Sequence, residues 1–149
     1  MSVLQETMQA MKEAMKSKDS NALAALRAIR AAITNEQLEL GVEELNEEQT
    51  IKVLQRLVKQ RKDSAAIYQE QDRIDLAEPE LAQVTVIEKY LPEQLSEEEV
   101  QKVVYEVIEQ LQAKTMKDMG KVMGVVNSKL AGKTDGKTIA KFVKQILGE

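Results

Sequence analysis

Lysine carries the most suggestive spacing in this chain. Lys137, Lys141 and Lys144 recur at i, i+4 and i+7, Lys117 and Lys121 at i and i+4, and Lys129 and Lys133 flank the turn between these two groups. On a helix such positions share a face and set out a row of ammonium groups that can follow a phosphodiester backbone. No arginine lies among them, so bidentate reading of base edges is not expected. The chemistry on offer is charge neutralisation without sequence preference. An ordinary solvated helix face would use the same spacing, and both readings stay open at this level. Gly120 and Gly124 stand four apart within the same segment. A glycine costs about 1 kcal/mol in a helix interior relative to Ala. The pair therefore implies a close approach, either by a neighbouring helix or by a nucleic-acid backbone.

A second basic cluster occupies Arg56-Leu-Val-Lys-Gln-Arg-Lys-Asp63, where Lys52, Arg56 and Lys59 form one stripe. Arg61 falls on the apolar seam between Val58 and Ala65, so its charge must reach a carboxylate or the rim of a bundle. With Arg27 and Arg30 from the preceding helix, Arg56, Lys59, Arg61 and Lys62 make either a secondary anion or RNA patch or a set of interhelical salt bridges. The acidic run Glu43, Glu44, Glu47, Glu48 has the composition of a Mg²⁺ site. It fits better as the start of a helix, where carboxylates meet the positive end of the dipole. Gly132-Lys-Thr and Gly136-Lys-Thr imitate the end of a phosphate-binding loop. The glycine such a loop needs five residues earlier is Asn127 in one case and Ala131 in the other, and no strand precedes either.

The composition excludes more than it offers. With no cysteine and no histidine, disulfides, thiolate nucleophiles, Cys/His zinc sites and histidine-based acid–base mechanisms are all absent. No cofactor and no metal site are expected, and no carboxylate pair stands out as acid–base machinery. The longest apolar run, residues 22–26, is far short of the roughly 20 residues a membrane span needs, so no membrane partner is expected. The N-terminus has neither a basic start nor an apolar stretch, and a cytoplasmic location is the expectation. Net charge is −4, but it is unevenly placed: residues 114–147 carry eight lysines and two aspartates.

The elements that must position these residues read as helices throughout. Good helix formers dominate, and aromatic residues make up only 3%, which disfavours strands. Leu4, Met8, Met11 and Met15 predict a first apolar stripe. Ala22, Leu26, Ile29, Ile33 and Leu40 predict a second, capped by Asp19 or Ser20 and closed by Gly41. Asn46 with Gln49 is a capping-box variant before a third helix, with Ile51, Leu54, Val58, Arg61, Ala65 and Tyr68 inward. A fourth helix runs from about Asp72 to Tyr90, with Leu76, Ala77, Leu81, Val84, Ile87 and Leu91 inward. Pro79 inside it implies a kink or a fresh start. Pro92 marks a boundary where glycine content rises. Beyond it, Ser96 with Glu99 predicts a capping box, and Leu95 with Val100 a hydrophobic staple. Helices follow from there, at about 116–130 and after Asp135. The expectation is an all-α protein: a bundle of about four helices over residues 1–92 and a three-helix module over 93–149.

Several segments carry a family resemblance. Arg27-Ala-Ile-Arg30, Asn35-Glu-Gln-Leu-Glu-Leu-Gly41, Leu57-Val-Lys-Gln-Arg-Lys-Asp-Ser64, Tyr90-Leu-Pro-Glu-Gln-Leu-Ser-Glu-Glu-Glu99, Asp118-Met-Gly-Lys-Val-Met-Gly124 and Gly132-Lys-Thr-Asp-Gly-Lys137 resemble the YqeY-like proteins over essentially the whole chain. Pro79 departs from the usual pattern. The C-terminal part is also similar to the tail domain of the B subunit of glutamine-dependent aspartyl/glutamyl-tRNA amidotransferase (GatB). That resemblance implies an accessory protein binding tRNA through Lys117, Gly120, Lys121, Gly124, Lys129, Lys133, Lys137 and Lys141. A second implication is a docking subunit of an amidotransferase or aminoacyl-tRNA synthetase with no RNA contact. A third is the family label itself, a carbon–nitrogen ligase with glutamine as amido-N-donor. The amidotransferase places its chemistry in a cradle domain and a separate amidase subunit, and the motifs here match neither, so catalysis by this chain alone is not expected.

Overall fold

In a computed structural model describing residues 2–148, the chain forms seven α-helices and one short 3-10 turn, with no strand among the described residues. They group into two units, divided between Pro92 and Glu93.

The first unit contains α1 (Val3–Ser17), α2 (Ser20–Leu40), α3 (Glu47–Glu70) and α4 (Ile74–Glu88). Local chemistry sets most of their ends. Ser2 and Gln5 form a reciprocal capping box on α1, and Asn46 and Gln49 form one on α3. Asp19 accepts from the Ala22 amide, and Gly41 closes α2 with φ +67°. α3 packs on α4, α2 packs on α1, α3 and α4, and the core gathers Ala25, Ile29, Ile33, Val53, Leu54, Leu57, Val84 and Ile87. Each large aliphatic side chain fully removed from water there contributes about 1.5–3 kcal/mol.

Several predicted stripes are rotated. In α1 the buried positions are Thr7 and Ala14, while Met8 and Met15 are exposed. The reason is polar. Arg30 of α2 donates to the Leu4 carbonyl at 2.7 Å and to Thr7 Oγ1 at 3.5 Å, and the Thr7 hydroxyl also donates to the Leu4 carbonyl. This triad turns the small face of α1 towards α2. We expect Arg30→Met, which keeps the aliphatic stem and removes the guanidinium, to destabilise the first unit by about 1–2 kcal/mol. Hydrogen exchange should quicken in α1 before it does in α3. Leu40 at the C-terminal end of α2 is exposed, as are Leu76 and Leu81 of α4. α4 neither stops nor restarts at Pro79 but continues from Ile74 to Glu88. It begins without a side-chain cap, and Asp75 in its first turn is bound by both Nε and Nη2 of Arg73.

The second unit contains α5 (Glu97–Leu111), the 3-10 turn Met116–Asp118, α6 (Met119–Lys129) and α7 (Gly136–Leu147). Each helix packs on the other two. Their core is built on Val100, Val104, Val107, Val122, Val126, Ile139, Phe142 and Val143. Stiff β-branched side chains lose little rotamer freedom when buried, which suits so small a core. Ser96 accepts from the Glu99 amide, but the return bond of a full capping box is not formed. Leu95 packs against the core that contains Val100, as the staple predicts. The helix predicted over 116–130 is split into the 3-10 turn and α6. Asp118 draws the chain round there, with its carboxylate accepting from the Lys114 amide at 3.0 Å.

Candidate functional site

α6 and α7 are unusual within this chain in how they begin. α3 starts with Glu47 and Glu48, and α5 with Glu97, Glu98 and Glu99, as the helix dipole favours. Neither α6 nor α7 has an acidic residue in its first turn. Each instead places a lysine there, Lys121 and Lys137, where a cation is electrostatically disfavoured. The N-cap carboxylates Asp118 and Asp135 already stand at these ends, so an anion brought near them would be attracted chiefly by the ammonium groups.

The turn between the two helices is held in place. Gly132 is buried with φ +78°, a conformation other residues adopt at a cost. Its carbonyl accepts from Gln94 Nε2 at 2.6 Å, and the Lys133 carbonyl accepts from the Leu95 amide at 2.9 Å. The segment before α5 thus anchors the loop that carries Lys133, whose side chain is left in solvent. At the other end of α6, hydrogen bonds from the Lys114 and Thr115 amides, with a smaller contribution from Lys121, hold the Asp118 carboxyl below its usual value.

The eight predicted interface residues fall into three environments. Lys117, Lys133 and Lys137 are exposed and have no ion pair or side-chain hydrogen bond among the described residues, and Lys121 has only the more distant attraction of Asp118. Lys141 pairs with Glu97 at 3.4 Å and lies 5.2 Å from the Phe142 ring centroid. Lys129 sits on the α5 side of α6 and donates to Gln110 Oε1 at 3.5 Å. Gly120 and Gly124 are exposed, and a Cβ built on either would meet nothing within 4 Å. No helix of this unit packs there, so the packing explanation of the glycine pair is corrected: the surface they create is open.

The second basic cluster is differently disposed. Arg56 pairs with Glu36 of α2 at 3.7 Å, Lys62 with Glu88 of α4 at 3.6 Å and Lys59 with Asp63 at 2.8 Å. Arg61 reaches no carboxylate and lies half-buried at the rim of the bundle. It donates to Gln83 Oε1 and to the Leu57 carbonyl. Arg30 is occupied by α1, as described above. Arg27 is exposed, with no ion pair among the described residues. The structure therefore ties most of this cluster into bonds between and within helices.

One feature escaped the sequence reading. A groove of about 890 Å³ opens in the first unit between the start of α1, the 42–47 loop and the residues after α4. Its carboxylates Glu43, Glu44 and Glu47, like Glu6, have no lysine or arginine three or four positions away. That local lack of a partner was the available signal. Among the described residues no group of three or more acidic side chains is arranged to hold a metal ion, and no helix is long and apolar enough to cross a membrane.

Comparison with known proteins covers both units. Residues 4–147 match the family model of the Yqey-like protein. The chain is also 35% identical over 106 residues to the Altered inheritance of mitochondria protein 41, mitochondrial, of Clavispora lusitaniae. That match covers 69% of this chain and 61% of the relative, so the chain spans less than two thirds of that protein's length. An all-helical architecture in two units and a match that runs from α1 to the last turn of α7 lead to one identification: the chain belongs to the YqeY-like protein family.

Proposed function

We propose that this protein is an adaptor whose second unit binds the backbone of a structured RNA, tRNA in the first instance, without reading its sequence. One observation carries the proposal: Lys121 and Lys137 occupy the first turns of α6 and α7, where the helix dipole disfavours a cation, and α6 bears a glycine face that nothing in the unit covers. The attraction of Asp118 gives Lys121 a partial role in folding, whereas phosphate binding gives a reason for both features. Lys117 and Lys133 extend the cationic surface, and Lys129 and Lys141 contribute less because their ammonium groups are engaged. The similarity of the C-terminal part to the tail of the amidotransferase B subunit supports tRNA as the ligand. A cytoplasmic site of action, where tRNA is abundant, follows from the same reading. The secondary basic patch of α2 and α3 is not needed for it.

The glycine pair supplies the test. Gly120→Ala with Gly124→Ala should raise the stability of the second unit by about 0.5–1 kcal/mol per site, because the added methyl groups meet open space and alanine favours helix. If the RNA backbone lies on that face, the same variant binds tRNA at least threefold more weakly in a filter or fluorescence titration. A variant that is more stable and binds equally well would remove the glycine face from the interface.

A further inference from the structure

We propose that the groove of the first unit is a docking site for a basic amphipathic peptide segment of a partner protein, an inference independent of the RNA reading. Two kinds of surface meet there. The floor is apolar, built from Leu4, Ile33, Leu45 and Ile51 with Tyr90 beside them. The rim carries Glu6, Glu43, Glu44 and Glu47 against a single cation among the described residues, Lys89. None of these four carboxylates has an ion pair among the described residues; other glutamates such as Glu98 and Glu106 share that property, but these four converge on one apolar groove. An apolar floor rimmed by unmatched negative charge complements a segment with large aliphatic side chains on one face and lysine or arginine on the other. A small polyamine would satisfy the rim but leave the floor wet.

The groove is built before any ligand arrives. Gln37 Nε2 donates to the Glu43 carbonyl at 3.1 Å, Gly41 turns the chain with positive φ, Leu45 is buried, and the Asn46 capping box fixes where α3 begins. The acidic wall is thus held without a cation to hold it, which lowers the ordering cost of binding. Burial and the neighbouring Glu6 push the Tyr90 phenol above its usual value, in keeping with a site that is partly dry and negative. For size, one turn of helix about 10 Å across and 5.4 Å long fills roughly 420 Å³, so the groove accommodates about two turns.

The test uses the full chain and three synthetic 14-residue peptides labelled with fluorescein. The first is an amphipathic leucine–lysine helix, the second has the same composition scrambled to destroy the apolar face, and the third has glutamate for lysine. We expect saturable binding of the first with a Kd below 100 µM, and at least tenfold weaker binding of the other two. Glu43→Lys with Glu44→Lys, both on the exposed loop, should weaken the first peptide at least tenfold. Glu106→Lys with Glu109→Lys, which changes net charge equally but lies on α5, should change it less than twofold. Thermal melts of both variants check that the fold survives. Equal weakening by the two variants, equal affinity for the scrambled peptide, displacement of the peptide by equimolar spermidine, or no saturable binding would each overturn the proposal. tRNA affinity measured on the same Glu43/Glu44 variant should not fall, so failure here and failure of the RNA reading are separable.

Discussion

Reversing Lys121, Lys133 and Lys137 together to glutamate is expected to weaken tRNA binding by about 10²-fold or more near 0.1 M salt. Three phosphate contacts release condensed counterions with a log–log slope of about −2 to −3, which is also a loss of roughly 16–64-fold between 50 and 200 mM salt for the unaltered protein. The triple variant should lose that slope along with the affinity. Singly, Lys137→Gln should reduce the slope by about 0.7–0.9, whereas Lys141→Gln should reduce it less, because Lys141 is already paired with Glu97. This ranking separates a built interface from a diffuse positive field, in which every lysine counts alike. Unfolding cannot account for the expected loss. Lys121 and Lys137 lie in the first turns of α6 and α7, where a glutamate is favoured over a lysine by about 0.3–1 kcal/mol. Lys121→Glu gives up the attraction of Asp118 in exchange, so the charge-reversed helices should melt close to the originals. An unchanged affinity would return these residues to the role of an ordinary solvated face.

What the sequence revealed, and what it concealed, divides along physical lines. The helices and their caps were legible because their signals are local. Asp19, Gly41, Asn46 with Gln49, Ser96 and Asp135 each act within four residues of themselves, and Pro92 itself marks the boundary between the units. The facing of α1 was not legible, because it depends on Arg30, twenty-three residues from Thr7 in sequence, reaching back to a hydroxyl and a carbonyl. Hydrophobicity alone favours Met8 and Met15, and a polar contact across the helix pair outweighs it. Arg61 was correctly placed on the seam, but its partner is an amide on α4 that no charge pattern announces. The lysine rows could be counted in the sequence, yet their division into engaged and unengaged groups came only with Glu97 and Gln110 of α5. The acidic groove was the least visible, since its lining comes from four separate segments.

Phe142→Ala tests whether the two units unfold independently. Phe142, the one phenylalanine in the chain, is 6% exposed in the core formed by α5, α6 and α7. Truncating a buried phenylalanine costs about 3–5 kcal/mol, the transfer of the ring plus the cavity it leaves. At about 0.05–0.15 kcal/mol per residue, a unit the size of 93–149 has only roughly 3–9 kcal/mol in total. The substitution therefore removes about half or more of that stability, and the loss of the ring beneath Lys141 adds to it. The expected result is a melt in two steps. Amides of α5, α6 and α7 should exchange freely while those of α2, α3 and α4 stay protected, and tRNA binding should vanish. Phe142→Leu retains much of the volume and should keep both the fold and most of the affinity. The first unit has its own core, on Ile29, Leu54 and Ile87, each 0% exposed, and it should hold the basic peptide after the second unit has unfolded. A single cooperative transition that carries α2, α3 and α4 with it would mean the two cores share their stability. The RNA-binding and peptide-binding surfaces would then be lost together rather than one at a time.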